Sequence, residues 1–177
     1  MAETAVYYNL LALGYLRLDE KALLDAAMIK AESYINEALK QYDSTSEQYS
    51  RAARYKSQIS INRAQIAVKN STLSKACDIL KEDVTFCGQY ASEYLPEAEG
   101  ELSLVKYKAC KFNDALSCAV LALNGFKYIG ALNAITEARK ILIAALAKLG
   151  NQRLAHELVR RFNSDPLGVT EVGFIEW

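Results

Sequence analysis

The sequence predicts an all-α fold, a stack of about four antiparallel helical hairpins, and three observations carry that expectation. Only two prolines and eight glycines interrupt 177 residues, too few to punctuate an all-β chain. The long Ala-, Leu-, Lys- and Glu-rich stretches between them place apolar residues every three or four positions, the period of one helix face. Small residues also recur at a fixed register: Ala76, Ala115 and Ala155 are 39 and 40 residues apart. Their neighbours correspond, Leu73 with Phe112, Leu80 with Ala119 and Val159, Leu102 with Leu142. A two-helix unit repeated at that interval cannot bury both of its apolar faces alone, so copies must stack into an α-solenoid.

Residues 3–18 carry a broad stripe of Val6, Tyr7, Leu10, Leu11 and Leu13, and Gly14 offers room for a close helix crossing. Asp19 suits the N-cap of a second helix over 20–43, where Leu23, Leu24, Ala27, Ala31, Tyr34, Ile35 and Ala38 keep the rhythm. Ser44 and Glu47 match the S-x-x-E capping box, which predicts a third helix from there to Lys69. Asn70-Ser71 then offers a stop and a fresh cap. From Ser71 one stripe runs through Ala76, Cys77, Leu80, Val84, Cys87 and Tyr94 to Leu95, with Gly88 as its soft point.

Pro96 fits a first helical position, where its missing N–H is no loss, and Glu97 and Glu99 favour the positive end of the helix dipole. Residues 96–125 form the clearest hairpin, its second helix lined by Ala115, Ala119 and Ala122 and capped at Asn124-Gly125. Residues 126–130 fit either an extra helical turn or a loop. Beyond Gly130, the stripe Leu132, Ile135, Ala138, Leu142, Ala145 and Leu149 ends at Gly150, and 151–162 pack Leu154, Ala155, Leu158 and Phe162 against it. The repeat domain therefore spans 1–162. Residues 163–177, with Pro166, Gly168 and Gly173 among apolar residues, form a tail that docks in cis or reaches a neighbouring subunit.

Composition narrows the function. Lysines and arginines balance aspartates and glutamates at 21 each, so no long-range field draws the chain to nucleic acid or an anionic membrane. The most apolar run, 141–150, is about half of a membrane span. Cys77, Cys87, Cys110 and Cys118 show no paired-ligand spacing and His156 is the only histidine, so they read as free thiols in a cytoplasmic protein rather than a metal site. No phosphate loop, nucleophile elbow or zinc-helix motif occurs, which argues against an enzyme and against a cofactor. Most of the eleven tyrosines sit on apolar stripes and are expected in the core, hydroxyl at its edge.

Leu102, Tyr107, Phe112, Ala115, Ala119 and Ala122, then Leu142, Gly150 and Ala155, and more weakly Ala64, Leu73 and Ala76, resemble the tetratricopeptide repeat family. The likeness is moderate over 98–162 and loose over 57–162, and the period exceeds that family's usual 34 or so. It implies a right-handed superhelix whose concave groove binds a peptide or partner protein, lined by first-helix residues: Asn62, Gln65, Lys69, Glu101, Leu104, Lys108, Lys140 and Lys148. Ile61, Gln65, Gly100 and Leu104 depart from the Lys and Asn pattern with which some members hold a terminal carboxylate. Phe174 and Trp177 are the tail's candidate anchors, including for a homo-oligomer. The expected function is a non-enzymatic scaffold or adaptor; the alternative is a ligand- or peptide-sensing regulatory domain of a larger signalling or transcription-regulating system.

Overall fold

The computed structural model describes residues 1–165; Phe174, Trp177 and the rest of the tail from 166 lie outside them. Eight helices follow one another: α1 (Ala2–Leu18), α2 (Lys21–Gln41), α3 (Glu47–Lys69), α4 (Leu73–Tyr90), α5 (Leu95–Lys108), α6 (Phe112–Ile129), α7 (Leu132–Lys148) and α8 (Gln152–Ser164). A short 3-10 turn occupies Ser92–Tyr94, and there is no strand among the described residues. The chain divides into two compact units, Met1–Tyr94 and a second beginning at Leu95. In the first, each helix packs on the next and α1 also reaches α3; in the second, each again packs on the next and α5 also reaches α7.

Five helix junctions share one construction. A single residue takes the left-handed conformation: Asp19 (φ 59°), Ser71 (59°), Cys110 (58°), Gly130 (72°) and Gly150 (85°). The N–H of the following residue then donates to the carbonyl five positions back, Glu20 to Tyr15, Thr72 to Ala67, Lys111 to Lys106, Ala131 to Phe126 and Asn151 to Leu146, at 2.9–3.0 Å. This is the closing bond of a Schellman motif, which satisfies an orphan carbonyl as the helix ends. The next helix starts at once. Its first intrahelical bond is donated by Leu24, Ala76, Ala115, Ile135 or Ala155, each five residues past the left-handed one and each buried. The register of Ala76, Ala115 and Ala155 is thus a register of turns, because Ser71, Cys110 and Gly150 are spaced identically.

These junctions correct several expectations. Asp19 and Ser71 close the preceding helices instead of capping the following ones. The cap of α3 is Ser46, not Ser44: Ser46 Oγ accepts from Tyr49 N at 3.1 Å, while Asp43 Oδ1 accepts from Thr45 N at 2.8 Å and shapes the turn before it. That bond and a second one, donated by Thr45 Oγ1 at 2.8 Å, hold the Asp43 carboxyl below its usual range. α4 stops at Tyr90 rather than Leu95, because Ala91 leaves the helical region (φ −152°, ψ 52°) and the 3-10 turn intervenes. α6 runs on to Ile129, so 126–129 are helical and Gly130 is the cap.

Gly125 and Gly14 exchange the roles expected of them. Gly125 lies inside α6 against Pro96 on α5, and a methyl group there would overlap the proline ring. Gly14 faces open space. Ala5, Ala12, Ala31, Ala38 and Ala52 are fully buried in the first unit, and Ala115, Ala119, Ala122 and Ala145 in the second, so small side chains let the helix axes approach. Ile35, Ile59 and Leu24 fill the first core, and Leu142, Leu146, Ile135 and Leu158 the second.

Gly125→Ala should therefore lower stability by about 1–3 kcal/mol through overpacking. Cys110→Gly should raise it by about 1 kcal/mol by removing a side chain from a left-handed position. Urea unfolding checks both, and opposite signs are the expected result.

Candidate functional site

The first-helix residues expected to line a groove have divergent placements. Asn62 is 6% exposed, and its Nδ2 donates to Asn9 Oδ1 on α1 at 3.1 Å. Lys69 is exposed, but its Nζ donates to the carbonyl of Leu16 at 3.0 Å, near the end of α1 where carbonyls lack helical partners. Both bonds join residues 53 apart, so α1 and α3 run parallel and in register, and both side chains serve as fasteners between them. Gln65 is exposed on the same helix. On α5, Glu101 and Leu104 are half-buried and Lys108 exposed; on α7, Lys148 is exposed and Lys140 pairs with Glu137 at 2.7 Å.

The concavity that the first unit presents is built from neighbours of those positions. A cleft of about 380 Å³ opens between α2 and α3, with Leu24, Met28, Ile66 and Ala67 as an apolar floor. It adjoins a second, of about 620 Å³, that passes along the start of α4 past Leu73, Ser74, Asp78 and Ile79. Arg63, Thr72 and Lys75 line both, so they form one continuous trough. Its rim carries four carboxylates, Asp25, Glu32, Asp78 and Glu82, against two cations, Arg63 and Lys75. Arg63 Nε is already held by Glu32 at 2.7 Å, and Asp78 meets Lys81 at 3.6 Å. The trough is therefore apolar below and net acidic above. Ile29, 67% exposed, stands at its edge.

Tyr8, Tyr15, Tyr42 and Tyr55 pack half-buried against the first core, as expected, while others stand at the surface. None of the eleven is buried: seven are half-buried and four exposed. Tyr8 stacks on Tyr34 with centroids 5.6 Å apart and Lys30 Nζ 4.9 Å above its ring, while Tyr7 meets Tyr8 edge-on. Phe86, Tyr90 and Tyr49 form a second cluster, with Lys56 over Phe86. Burial pushes the Tyr49 hydroxyl up, and Tyr90 adds to that. A tyrosine ring packs on apolar surface only as far as its hydroxyl can stay wet or bonded, which is why stripe position overstated burial. In the second unit, Tyr128, Ile129 and Leu132 stand exposed around the Gly130 turn, Tyr128 at 93%.

Cys77, Cys87 and Cys118 are buried, and Cys110 is exposed at its turn. Lys106 Nζ lies 3.4 Å from Cys118 Sγ and 3.9 Å from Asp114. Burial nevertheless outweighs the lysine and keeps that thiol above its usual range. His156 is exposed on α8. Arg139 is buried, its guanidinium 4.3 Å from the Phe162 ring centroid and donating to the carbonyl of Asp165 at 3.1 Å, so it ties α7 to the end of α8. Burial lowers the pKa of Arg139, and burial plus repulsion from Arg139 lowers that of Lys127. Among the described residues no group of three or more His, Cys, Asp or Glu could hold a metal ion, and no helix is long and apolar enough to cross a membrane.

An all-α chain with an open, acidic-rimmed trough is the class these features define. No protein-family model, no curated protein and no solved structure matches it.

Glu99, half-buried on α5, is pushed above its ordinary value of 4.5 by burial. A carboxyl raised on folding contributes fully to stability below its unfolded pKa, and that contribution is lost as pH rises through the folded pKa. Glu99→Gln should therefore raise the melting temperature at neutral pH and leave it unchanged near about pH 3, where both states are protonated. Thermal scans at the two pH values check the sign.

Proposed function

We propose that this chain is a non-enzymatic interaction scaffold that takes a short basic segment of a partner protein, anchored by an apolar side chain, in the trough between α2, α3 and α4. The observation that carries the reading is the trough's division into an apolar floor of Leu24, Met28 and Ile66 and a rim with four carboxylates to two cations. Apolar burial would supply affinity, and the acidic rim would select for Lys or Arg on the segment. The parallel register of α1 and α3, the α5–α7 packing and the repeated turn support a tetratricopeptide-like, right-handed stack of about four hairpins as the architecture. Gln65, Glu101, Leu104, Lys108, Lys140 and Lys148 remain candidates for contacts outside the trough, and the tail with Phe174 and Trp177 for a contact in trans. A scaffold of this kind needs neither cofactor nor metal, and a cytoplasmic setting suits its free thiols.

A second reading, a sensory domain that takes a small ligand in the same place, is favoured by the size of the two clefts, which lies within the ~300–1,000 Å³ usual for ligand sites.

One experiment separates the readings. Fluorescence anisotropy with a panel of amphipathic peptides, each made in a Lys/Arg form and a Glu form, should show binding of the basic form alone. Ile29→Asn should weaken that binding at least about tenfold, or about 1.4 kcal/mol, with the melting temperature held because Ile29 is mostly exposed. Equal behaviour of basic and acidic peptides overturns the scaffold reading. A thermal shift with a metabolite panel and none with peptides favours the sensory one.

A further inference from the structure

α1 packs against α2 and α3 along Ala5, Asn9 and Ala12, and its opposite face is not polar. Tyr7 is 57% exposed, Leu10 62% and Leu18 72%, with exposed Glu3, Gly14 and Arg17 between and beyond them. Positions 3, 7, 10, 14 and 17 alternate steps of four and three, the spacing of a seam along one side of a helix. An outer helix of a stacked array ordinarily turns a polar face outward, so a seam of this composition calls for a cover.

The order of residues along the seam specifies the cover. Leu10 sits at its centre, Glu3 and Arg17 lie seven residues to either side, and Tyr7 and Gly14 three before and four after. Two such helices laid antiparallel about a twofold axis at Leu10 set Leu10 against Leu10 and each Glu3 against the other chain's Arg17. They also set each Tyr7 opposite the other chain's half-buried Leu13, one residue short of Gly14. A parallel arrangement would oppose Glu3 to Glu3 and Tyr7 to Tyr7. Charge and apolar surface are thus self-complementary in one orientation, the condition for an isologous contact. We infer that the α1 face is a homodimer interface and that its occupant is the α1 of a second copy of this chain, antiparallel about Leu10. This contact is independent of the trough, whose walls are α2, α3 and α4.

Sedimentation equilibrium of the full chain from about 1 µM to about 1 mM tests the inference. The expected result is a concentration-dependent dimer that becomes a monomer with Leu10→Glu, with Glu3→Arg or with Arg17→Glu. All three positions are exposed, so circular dichroism should report an unaltered fold. The deciding arm mixes the two charge variants. The Glu3→Arg chain presents two cations and the Arg17→Glu chain two carboxylates, so each alone repels itself, whereas an equimolar mixture should regain dimer mass as a heterodimer. The double variant Glu3→Arg/Arg17→Glu should dimerise with itself. A monomeric parent chain at every concentration overturns the inference, as does a dimer indifferent to these substitutions or a mixture that stays monomeric.

Discussion

Reversing a chain between two helices within two residues requires one backbone unit with positive φ, and that constraint underlies the junctions at Asp19, Ser71, Cys110, Gly130 and Gly150. The left-handed residue aims the following N–H back at the carbonyl five positions earlier, so the ending helix is satisfied while the chain is already turning. Because the next helix begins immediately, its first inward residue is determined by the turn. Leu24, Ala76, Ala115, Ile135 and Ala155 are buried for that reason. Only two of the five turns use glycine; the others accept the cost of a side chain where L-residues are disfavoured.

With the turns set, alanine-lined interfaces bring the helices close, and a few polar bonds, two of them buried, select one register among the many that small residues permit. Asn9–Asn62 and Lys69–Leu16 align α1 with α3, and Ser57 donating to Asp83 at 2.8 Å aligns α3 with α4. Apolar packing alone is tolerant of slippage, whereas a buried amide or carboxylate displaced from its partner loses a bond it cannot regain from water. Arg139 works the same way between α7 and α8, its guanidinium over the Phe162 ring and its Nη1 donating to the carbonyl of Asp165.

The same ties decide which recess stays open. Asn62 and Lys69 are occupied within the first unit, and the recess that is left opens one helix over, where α2, α3 and the start of α4 diverge. Arg63 and Glu32 meet across it, from helices that have no sequence relation to one another. The surface tyrosines pack into half-apolar clusters at the edge of the helices.

Much of the fold was legible in residue order. Helical class, the approximate span of each helix, the Gly150 turn and the burial of Ala115, Ala119 and Ala122 all follow from local propensity and a period near 3.6. Junction details were less so. Asp19 is a favourable N-cap by type, and only its backbone angles reveal that it ends a helix, whereas the stop expected at Asn70-Ser71 is present and the fresh cap is not. Ser44 and Ser46 compete for one cap, and Asp43 settles the competition through Thr45. Gly125 resembles a terminator until Pro96 is placed against it. The candidate site was the least legible part, since Asp25, Arg63, Lys75 and Glu82 come from three helices with no motif to join them. Local sequence dictates where the backbone coils and which stripe turns inward, because those depend on neighbours three or four residues away. Which polar residues become internal ties and which surround an open trough depends on contacts between distant helices, and only their packing decides it.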